Sequence, residues 1–256
     1  MLLYRLAPEG FFAATAPDGR VRIVVSDPFE TAPGAWQYGR EADPEGSGPL
    51  VPVVPGKVVG IGRSYRDHAA ELGNPMPAEP LVFLKAPSAV IGPGEPIVLP
   101  PESERVEFEG EIAAVVGRRL PRATPDEARA GLLGVTCALD VTARDLQRKD
   151  ATFARAKSFD SFCPLGPAIR VDPDLEALEV VTRVNGEERQ RGRTSQMAWG
   201  IAELAAYVSR CMTLEPGDVV LTGTPSGVGP LAAGDVVEVE VSGVGVLRNP
   251  VEARLA

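Results

Sequence analysis

Two carboxylates one residue apart, Glu109 and Glu111, stand in the segment Glu107-Phe108-Glu109-Gly110-Glu111-Ile112-Ala113-Ala114-Val115-Val116. In an extended chain, residues two apart share a face, which places the pair about 7 Å apart. There they repel by roughly 2 kcal/mol at an effective dielectric near 20. An isolated pair of this kind reads as a solvated strand face. This one runs straight into an apolar stretch typical of a buried strand, and the glycine between the acids leaves room for something to approach. Asp140 lies in a second core-like run, Val135 to Val141. A buried carboxylate needs a cation or a set of donors, and Arg144 is one local candidate. Three carboxylates on two core strands, with no His or Cys cluster, together suit an all-oxygen site for Mg²⁺, Mn²⁺ or Ca²⁺ and disfavour zinc.

His68 is the only histidine of the chain. Glu71, three residues on, shares its helix face, and a carboxylate that orients an imidazole is the pairing a general base needs. Gly60, Gly62 and Gly73 flank this short helix, read as Tyr65 to Leu72, and Pro75 and Pro77 follow, which makes the segment a candidate lid. Lys157 sits near the Gly/Pro-rich stretch Phe162 to Pro167 and by default reads as a surface lysine. The run Thr222 to Gly229 follows a strand and can offer backbone N–H groups to an anion. It fits neither a P-loop nor a dinucleotide fingerprint, so on spacing alone it is a turn.

The elements that must position these residues are mostly strands. Short apolar runs recur at Val58–Ile61, Leu81–Leu84, Ile97–Leu99, Phe108–Val116, Val135–Val141, Val180–Val184, Val219–Leu221 and Val236–Val241, separated by turn signals. Asn185-Gly186 predicts a type I′ hairpin. Beyond the short lid, two helices are expected. One starts at the capping box Thr124-Pro125-Asp126-Glu127, and the other spans Ile201 to Cys211, with apolar residues at 201, 204, 205, 208 and 211. Strands that outnumber helices predict an α+β fold on antiparallel or mixed sheet. Residues 1–55 read as a small N-terminal domain and 56–256 as the main one, divided at the Pro52, Pro55, Gly56 cluster.

Composition narrows the function classes. The net charge of −9 argues against a nucleic-acid partner and requires local positive charge for any acidic substrate. No apolar run reaches the ~20 residues of a membrane span. Three widely spaced cysteines, Cys137, Cys163 and Cys211, form no disulfide framework, which favours a cytoplasmic location.

Taken in order, the blocks GRSYRDHAAELG, LVFLKAPSAVIGPGEPIVLP, VEFEGEIAAVVG, GVTCALDVTARDLQ, AKSFDSFCPLGP, VNGEERQRGRTSQM and LEPGDVVLTGTPSGVG resemble the fumarylacetoacetate hydrolase family from about residue 57 to 250. The resemblance implies a mixed β-roll, commonly a homodimer. It implies metal ligation by Glu109, Glu111 and Asp140, a His68–Glu71 dyad on a lid, and substrate contacts from Gln147, Lys157 and Thr224. Arg63 and Tyr65 join the substrate-binding group through the G-R-x-Y block. Ser64 departs from the Asn of many members, so no side-chain hydrogen bond is implied there. The implied activity is metal-dependent C–C bond hydrolysis of a small 2-oxo acid of acylpyruvate type, with His68 activating water and Lys157 stabilising a pyruvate enolate. Oxaloacetate decarboxylation and isomerisation of an unsaturated 2-hydroxy dioate use the same site. A metabolite-binding protein on this scaffold and a purely structural Ca²⁺ site are the non-catalytic alternatives.

Overall fold

The computed structural model describes residues 1–254 apart from 72 and 74. Its largest sheet has eleven strands. They run, in spatial order, Tyr38–Glu41, Val21–Val24, Phe11–Thr15, Leu2–Leu6, Cys163–Val171, Leu132–Leu139, Gly110–Val116, Val219–Leu221, Val58–Gly62 and Leu81–Lys85, with Val90–Ile91 pairing beside Cys163–Val171. Most pairs are antiparallel, but Val219–Leu221 runs parallel to Val58–Gly62, so the sheet is mixed. A five-stranded sheet orders Glu187–Arg193, Glu179–Val184, Val236–Val241, Gly245–Ala253 and Ile97–Leu99. A third, of three short strands, joins Thr142–Ala143, Val106–Phe108 and Gly229–Pro230. This is the strand-rich α+β architecture expected.

The patterns explain the placements. Val236–Val241 alternates, burying Val237, Val239 and Val241 while Glu238 and Glu240 lie half-buried on the other face. Gly110–Val116 is buried throughout, as its continuous apolar run requires of a central strand. Asn185 and Gly186 both take positive φ, 54° and 79°, and close the Glu179–Val184/Glu187–Arg193 hairpin as expected. The Thr124 capping box starts helix Pro125–Gly131, and Ile201–Cys211 buries Ile201, Leu204, Ala205 and Val208 against the core. Cys211 itself is exposed rather than on the buried face.

Residues 1–55 form a four-stranded antiparallel meander hydrogen-bonded to Cys163–Val171 through Leu2–Leu6, and its Leu3, Ala14, Val24 and Trp36 join the common core.

Several expectations change. Phe108–Val116 is not one strand: it breaks at Glu109, with Val106–Phe108 in the small sheet and Gly110–Val116 in the large one. Val135–Val141 likewise ends at Leu139, leaving Asp140 in the bend before Thr142–Ala143. Helices Pro44–Ser47, Arg144–Lys149 and Ala154–Lys157 were not expected, because at four to six residues they carry too few turns to show a period. The lid helix spans Arg66–Glu71, and Leu72 lies outside the described residues. Gly60 and Gly62, read as flanking the lid, serve the packing of a strand. They lie in strand Val58–Gly62, where a Cβ on Gly60 would come within 2.2 Å of the Phe83 ring and one on Gly62 within 3.1 Å of Leu81.

Candidate active site

The two strand breaks face each other. A ribbon formed by residues 106–116 and 132–143 passes from the small sheet to the large one, and at its corner Asp140 N–H donates to the Glu109 carbonyl at 2.8 Å. The bend turns both side chains out of the two pleats and toward Glu111. One carboxylate oxygen from each of Glu109, Glu111 and Asp140 lies within 4.8 Å of the others, and all three residues are buried. Gly110 between the glutamates makes room, but for protein rather than ligand: a Cβ there would meet Thr182 Oγ1 at 1.8 Å.

Charge in this cluster is almost balanced. Lys85 donates to Asp140 Oδ1 at 2.6 Å and to the Val141 carbonyl at 3.2 Å. Lys157 bridges Asp140 Oδ2 at 2.5 Å and Glu109 Oε2 at 2.8 Å, with its ammonium 5.0 Å from the Phe83 ring centre. Arg144 spans Glu107 at 2.7 Å, Glu109 at 2.5 Å and Gln147 Oε1 at 2.6 Å. Lys157 is therefore no surface lysine, and Arg144 pairs with Glu107 and Glu109 rather than with Asp140. Four carboxylates, Glu107, Glu109, Glu111 and Asp140, meet three buried cations and the exposed Arg105, which pairs with Glu107 at 2.6 Å.

The unmatched acid is Glu111. Among the described residues its carboxylate receives only the Gly223 N–H, at 2.6 Å. Burial, then the like charges of Asp140 and Glu109, push its pKa well above the carboxylate range. Burial acts the same way on Glu109, but Lys157, Arg144 and His68 outweigh it and hold that carboxyl low. Lys157 keeps its proton: burial opposes the charge, but Asp140 and Glu109 raise its pKa on balance. A hard divalent cation would give Glu111 the positive partner it lacks among the described residues. The donors are all oxygen, they converge, and a bound cation would draw the proton from Glu111.

The turn after Val219–Leu221 completes the floor. Gly223, at φ 98°, could not carry a side chain, since a Cβ would meet Ser64 Oγ at 1.9 Å. Ser64 Oγ donates to the Thr222 carbonyl at 2.5 Å, so this position does make a side-chain hydrogen bond. Thr224 lines the cavity, but its hydroxyl is committed, donating to the Gly110 carbonyl at 2.8 Å and accepting from Gln190 Nε2 at 2.7 Å. Gln190 also accepts the Gly110 N–H at 2.9 Å and donates to the Pro225 carbonyl.

Above the floor, His68 is buried and faces the same cavity of about 270 Å³. Its Nδ1 lies 3.3 Å from Glu71 Oε2, and Glu71 Oε1 accepts the Gly227 N–H at 3.0 Å. Arg63 and Gln147 also line the cavity. Tyr65 does not. Its ring packs toward Gly192, its hydroxyl is buried without a hydrogen-bond partner among the described residues, and burial first, then Glu111, raises its pKa. Sequence reasoning missed Lys85, Glu107, Gln190 and Arg148. Only Gln190 left a local signal, as an uncharged residue within the run Glu187-Glu188-Arg189-Gln190-Arg191. Among the described residues, no helix is long and apolar enough to cross a membrane.

A strand-break corner holding three acids under a His–Glu helix defines a class. Residues 57–252 match the fumarylacetoacetate (FAA) hydrolase C-terminal family, and the chain belongs to it. The mitochondrial oxaloacetate tautomerase FAHD2A of Bos taurus is 44% identical over 215 residues, 79% of this chain and 68% of the relative. The 5-carboxymethyl-2-hydroxymuconate delta-isomerase of Mycobacterium smegmatis superposes at TM-score 0.89 with 42% identity, over 99% of this chain and all of that one. The 2-hydroxyhepta-2,4-diene-1,7-dioate isomerase of Mycobacterium marinum does so at 0.88 with 38% identity, over the whole of both chains. Relatives in the family are enzymes, among them tautomerases and isomerases.

Proposed function

We propose that this chain is a divalent-metal-dependent enzyme that moves a proton at carbon 3 of a small 2-oxo acid, interconverting its keto and enol or unsaturated forms. The observation that carries this reading is one cavity lined both by His68, which Glu71 holds through Nδ1, and by the converging carboxylates Glu109, Glu111 and Asp140. Relatives named as a tautomerase and isomerases support it.

When bound by Glu109, Glu111 and Asp140, Mg²⁺ or Mn²⁺ supplies Lewis-acid stabilisation of negative charge on the substrate oxygens. The protein supplies the rest. Glu71 accepts from His68 Nδ1, which leaves Nε2 as the proton acceptor. Burial keeps bulk water from competing for that proton. Lys157, which stays protonated, places a fixed positive charge beside the carboxylates and favours an enolate over the keto acid. Gln147 accepts from Arg144 through Oε1, so its amide N–H₂ remains to donate to a bound oxygen.

Hydrolysis of an acylpyruvate is the second reading, favoured by the same His68–Glu71 pair, which could activate a water instead of a carbon acid. Decarboxylation of oxaloacetate needs no base and depends on Lys157 more than on His68. One NMR experiment separates proton transfer from hydrolysis: pyruvate and an acylpyruvate are incubated in D₂O with Mg²⁺ and the enzyme. Deuterium entering carbon 3 without chain cleavage supports proton transfer. Cleavage of the acylpyruvate with no exchange into pyruvate would replace it with hydrolysis.

A further inference from the structure

Gly110, the residue between the two floor glutamates, is held by a strand of another sheet. Its neighbour Val219–Leu221 pairs with Ala113, Ala114 and Val115 and then ends. Thr222 N–H still reaches the Ile112 carbonyl at 3.1 Å, but Gly223 N–H turns to the Glu111 carboxylate. Gly110 therefore lies past the end of that strand, where its own N–H and C=O need other partners. Side chains supply them. Gly110 N–H donates to Gln190 Oε1 at 2.9 Å, and the Gly110 carbonyl accepts from Thr224 Oγ1 at 2.8 Å. Gln190 Nε2 donates to Thr224 Oγ1 at 2.7 Å, which closes a ring of three hydrogen bonds, and also donates to the Pro225 carbonyl at 2.8 Å.

Gln190 reaches this point from strand Glu187–Arg193, where Glu187, Glu188, Arg189, Arg191 and Arg193 are exposed and Gln190 is buried. Across the hairpin it stands opposite Thr182, so the two share a face, and that face seats on Gly110. A Cβ on Gly110 would meet Thr182 Oγ1 at 1.8 Å and Gln190 Oε1 at 3.3 Å. The register shifts just beyond this pair and passes over Arg189, a bulge of the kind that re-aims a side chain beside a site. A side-chain amide accepts and donates together, as a missing strand would have done. It does so without adding charge to a floor in which Glu111 already lacks a positive partner among the described residues.

We propose that Gln190 is a positioning residue of the cation site: with Thr224 it fixes the two peptides that join Gly110 to Glu109 and to Glu111, and so sets the spacing of those carboxylates. The proposal rests on the reading that Glu109, Glu111 and Asp140 hold the cation. Among the described residues Gln190 makes no hydrogen bond to any of the three carboxylates, so it acts through the backbone that carries two of them. Mg²⁺ demands near-ideal octahedral geometry, whereas Ca²⁺ accepts flexible arrangements of oxygens. Loosening the Glu109–Glu111 spacing therefore costs Mg²⁺ more than Ca²⁺.

Calorimetric titration of the metal-free protein with Mg²⁺ and with Ca²⁺ tests this, with circular dichroism to show that each variant is folded. Gln190→Met keeps the length of the side chain and loses its polar atoms. Thr224→Val keeps the shape and loses the hydroxyl, and Thr224→Ser keeps the hydroxyl. Mg²⁺ affinity is expected to fall roughly 10 to 100-fold in Gln190→Met and in Thr224→Val, the usual cost of losing an outer partner of a metal site. Ca²⁺ affinity is expected to fall much less, and Thr224→Ser to restore Mg²⁺ binding to within about threefold of wild type. Joining Gln190→Met to Thr224→Val is expected to cost no more than the larger single change, because either one opens the same ring. A merely structural glutamine would lower the unfolding midpoint and leave the folded variant with wild-type affinity for both cations, which overturns the proposal. An equal loss for Mg²⁺ and Ca²⁺ overturns it too. If Gln190→Met does not fold, Thr224→Val against Thr224→Ser carries the same comparison, and equal Mg²⁺ affinities there overturn it. Wild type that binds neither cation overturns the reading of the floor itself, and this proposal with it.

Discussion

The floor of the cavity and the helix that covers it are held in opposite ways. Glu109, Glu111 and Asp140 come from the central strands of the eleven-stranded sheet or the breaks at their ends. Each carboxylate is fixed by a buried donor: Lys157 and Arg144 on Glu109, Gly223 N–H on Glu111, Lys85 and Lys157 on Asp140. His68 and Glu71 ride on a six-residue helix. Among the described residues, its tethers include the Ser64 carbonyl taking Ala198 N–H, Arg66 reaching the Met197 carbonyl, and Glu71 reaching Gly227. The contrast teaches that the charge-binding geometry is prebuilt by buried ion pairs, while the base is delivered by a short helix tied down, among the described residues, by hydrogen bonds at its two ends.

The strongest way to break this comparison is to remove a floor acid. Asp140→Ala leaves Lys85 buried without its carboxylate and halves the partners of Lys157. An uncompensated buried charge costs about 3–5 kcal/mol, so denaturant unfolding is expected to show a loss of that size together with loss of activity. Retained stability would mean that the floor is less tightly coupled than its ion pairs imply. His68→Ala is the matching test of the covering helix. Proton transfer is expected to fall by roughly 10² to 10⁴-fold, with a much smaller loss of stability than Asp140→Ala, since the floor's Lys and Arg ion pairs stay in place. Full activity in that variant removes His68 as the base.

Legibility follows the same division. The Glu109-Gly110-Glu111 pattern, the Thr124 capping box and the Asn185-Gly186 turn are visible in the chain because each depends on neighbours within four residues. What the floor needs to hold its charges is not local. Lys85 meets Asp140 across 55 positions and Lys157 meets Glu109 across 48, and no spacing rule links them. Gly110 was legible as a close approach, but Thr182, the atom that fills the gap, comes from another sheet. The strand break at Glu109 left no proline or turn signal, because it is imposed by pairing to Thr142–Ala143 rather than by backbone preference.

A smaller effect sharpens the comparison within the floor, between two glutamates two residues apart. Glu109 has a lowered pKa, so its contribution to stability is present above the unfolded value near 4.5 and is lost as pH falls below it. Glu111 has a raised pKa, so its contribution is complete below 4.5 and is lost as pH rises toward its folded value. Above pH 4.5 only Glu111 of the pair produces a slope. Metal-free protein is expected to lose up to about 1.4 kcal/mol per pH unit there. Glu111→Gln flattens that slope, and Mg²⁺ affinity of wild type climbs with pH over the same window as the cation displaces the proton. A flat metal-free profile in wild type would show that Glu111 finds a partner other than the Gly223 amide.

The smallest expected effect isolates the tether of the covering helix. Glu71 accepts the Gly227 N–H through one oxygen and faces His68 through the other, so one side chain both closes the helix and orients the base. Glu71→Gln keeps an oxygen for Gly227 but weakens the bond, because a charged acceptor contributes more than a neutral one, by about 1 kcal/mol. That corresponds to roughly fivefold faster amide hydrogen exchange across Arg66 to Glu71, with no change in strand Gly110–Val116. Oxalate with Mg²⁺ is expected to slow exchange in the helix for both proteins and again leave the strand alone, since the floor does not have to move to bind. If Glu71→Gln speeds exchange in the strand as much as in the helix, helix and floor open as one unit and the division between them fails. If exchange is unchanged everywhere while proton transfer falls, Glu71 acts on His68 alone and the helix is closed by its Arg66 and Ser64 contacts.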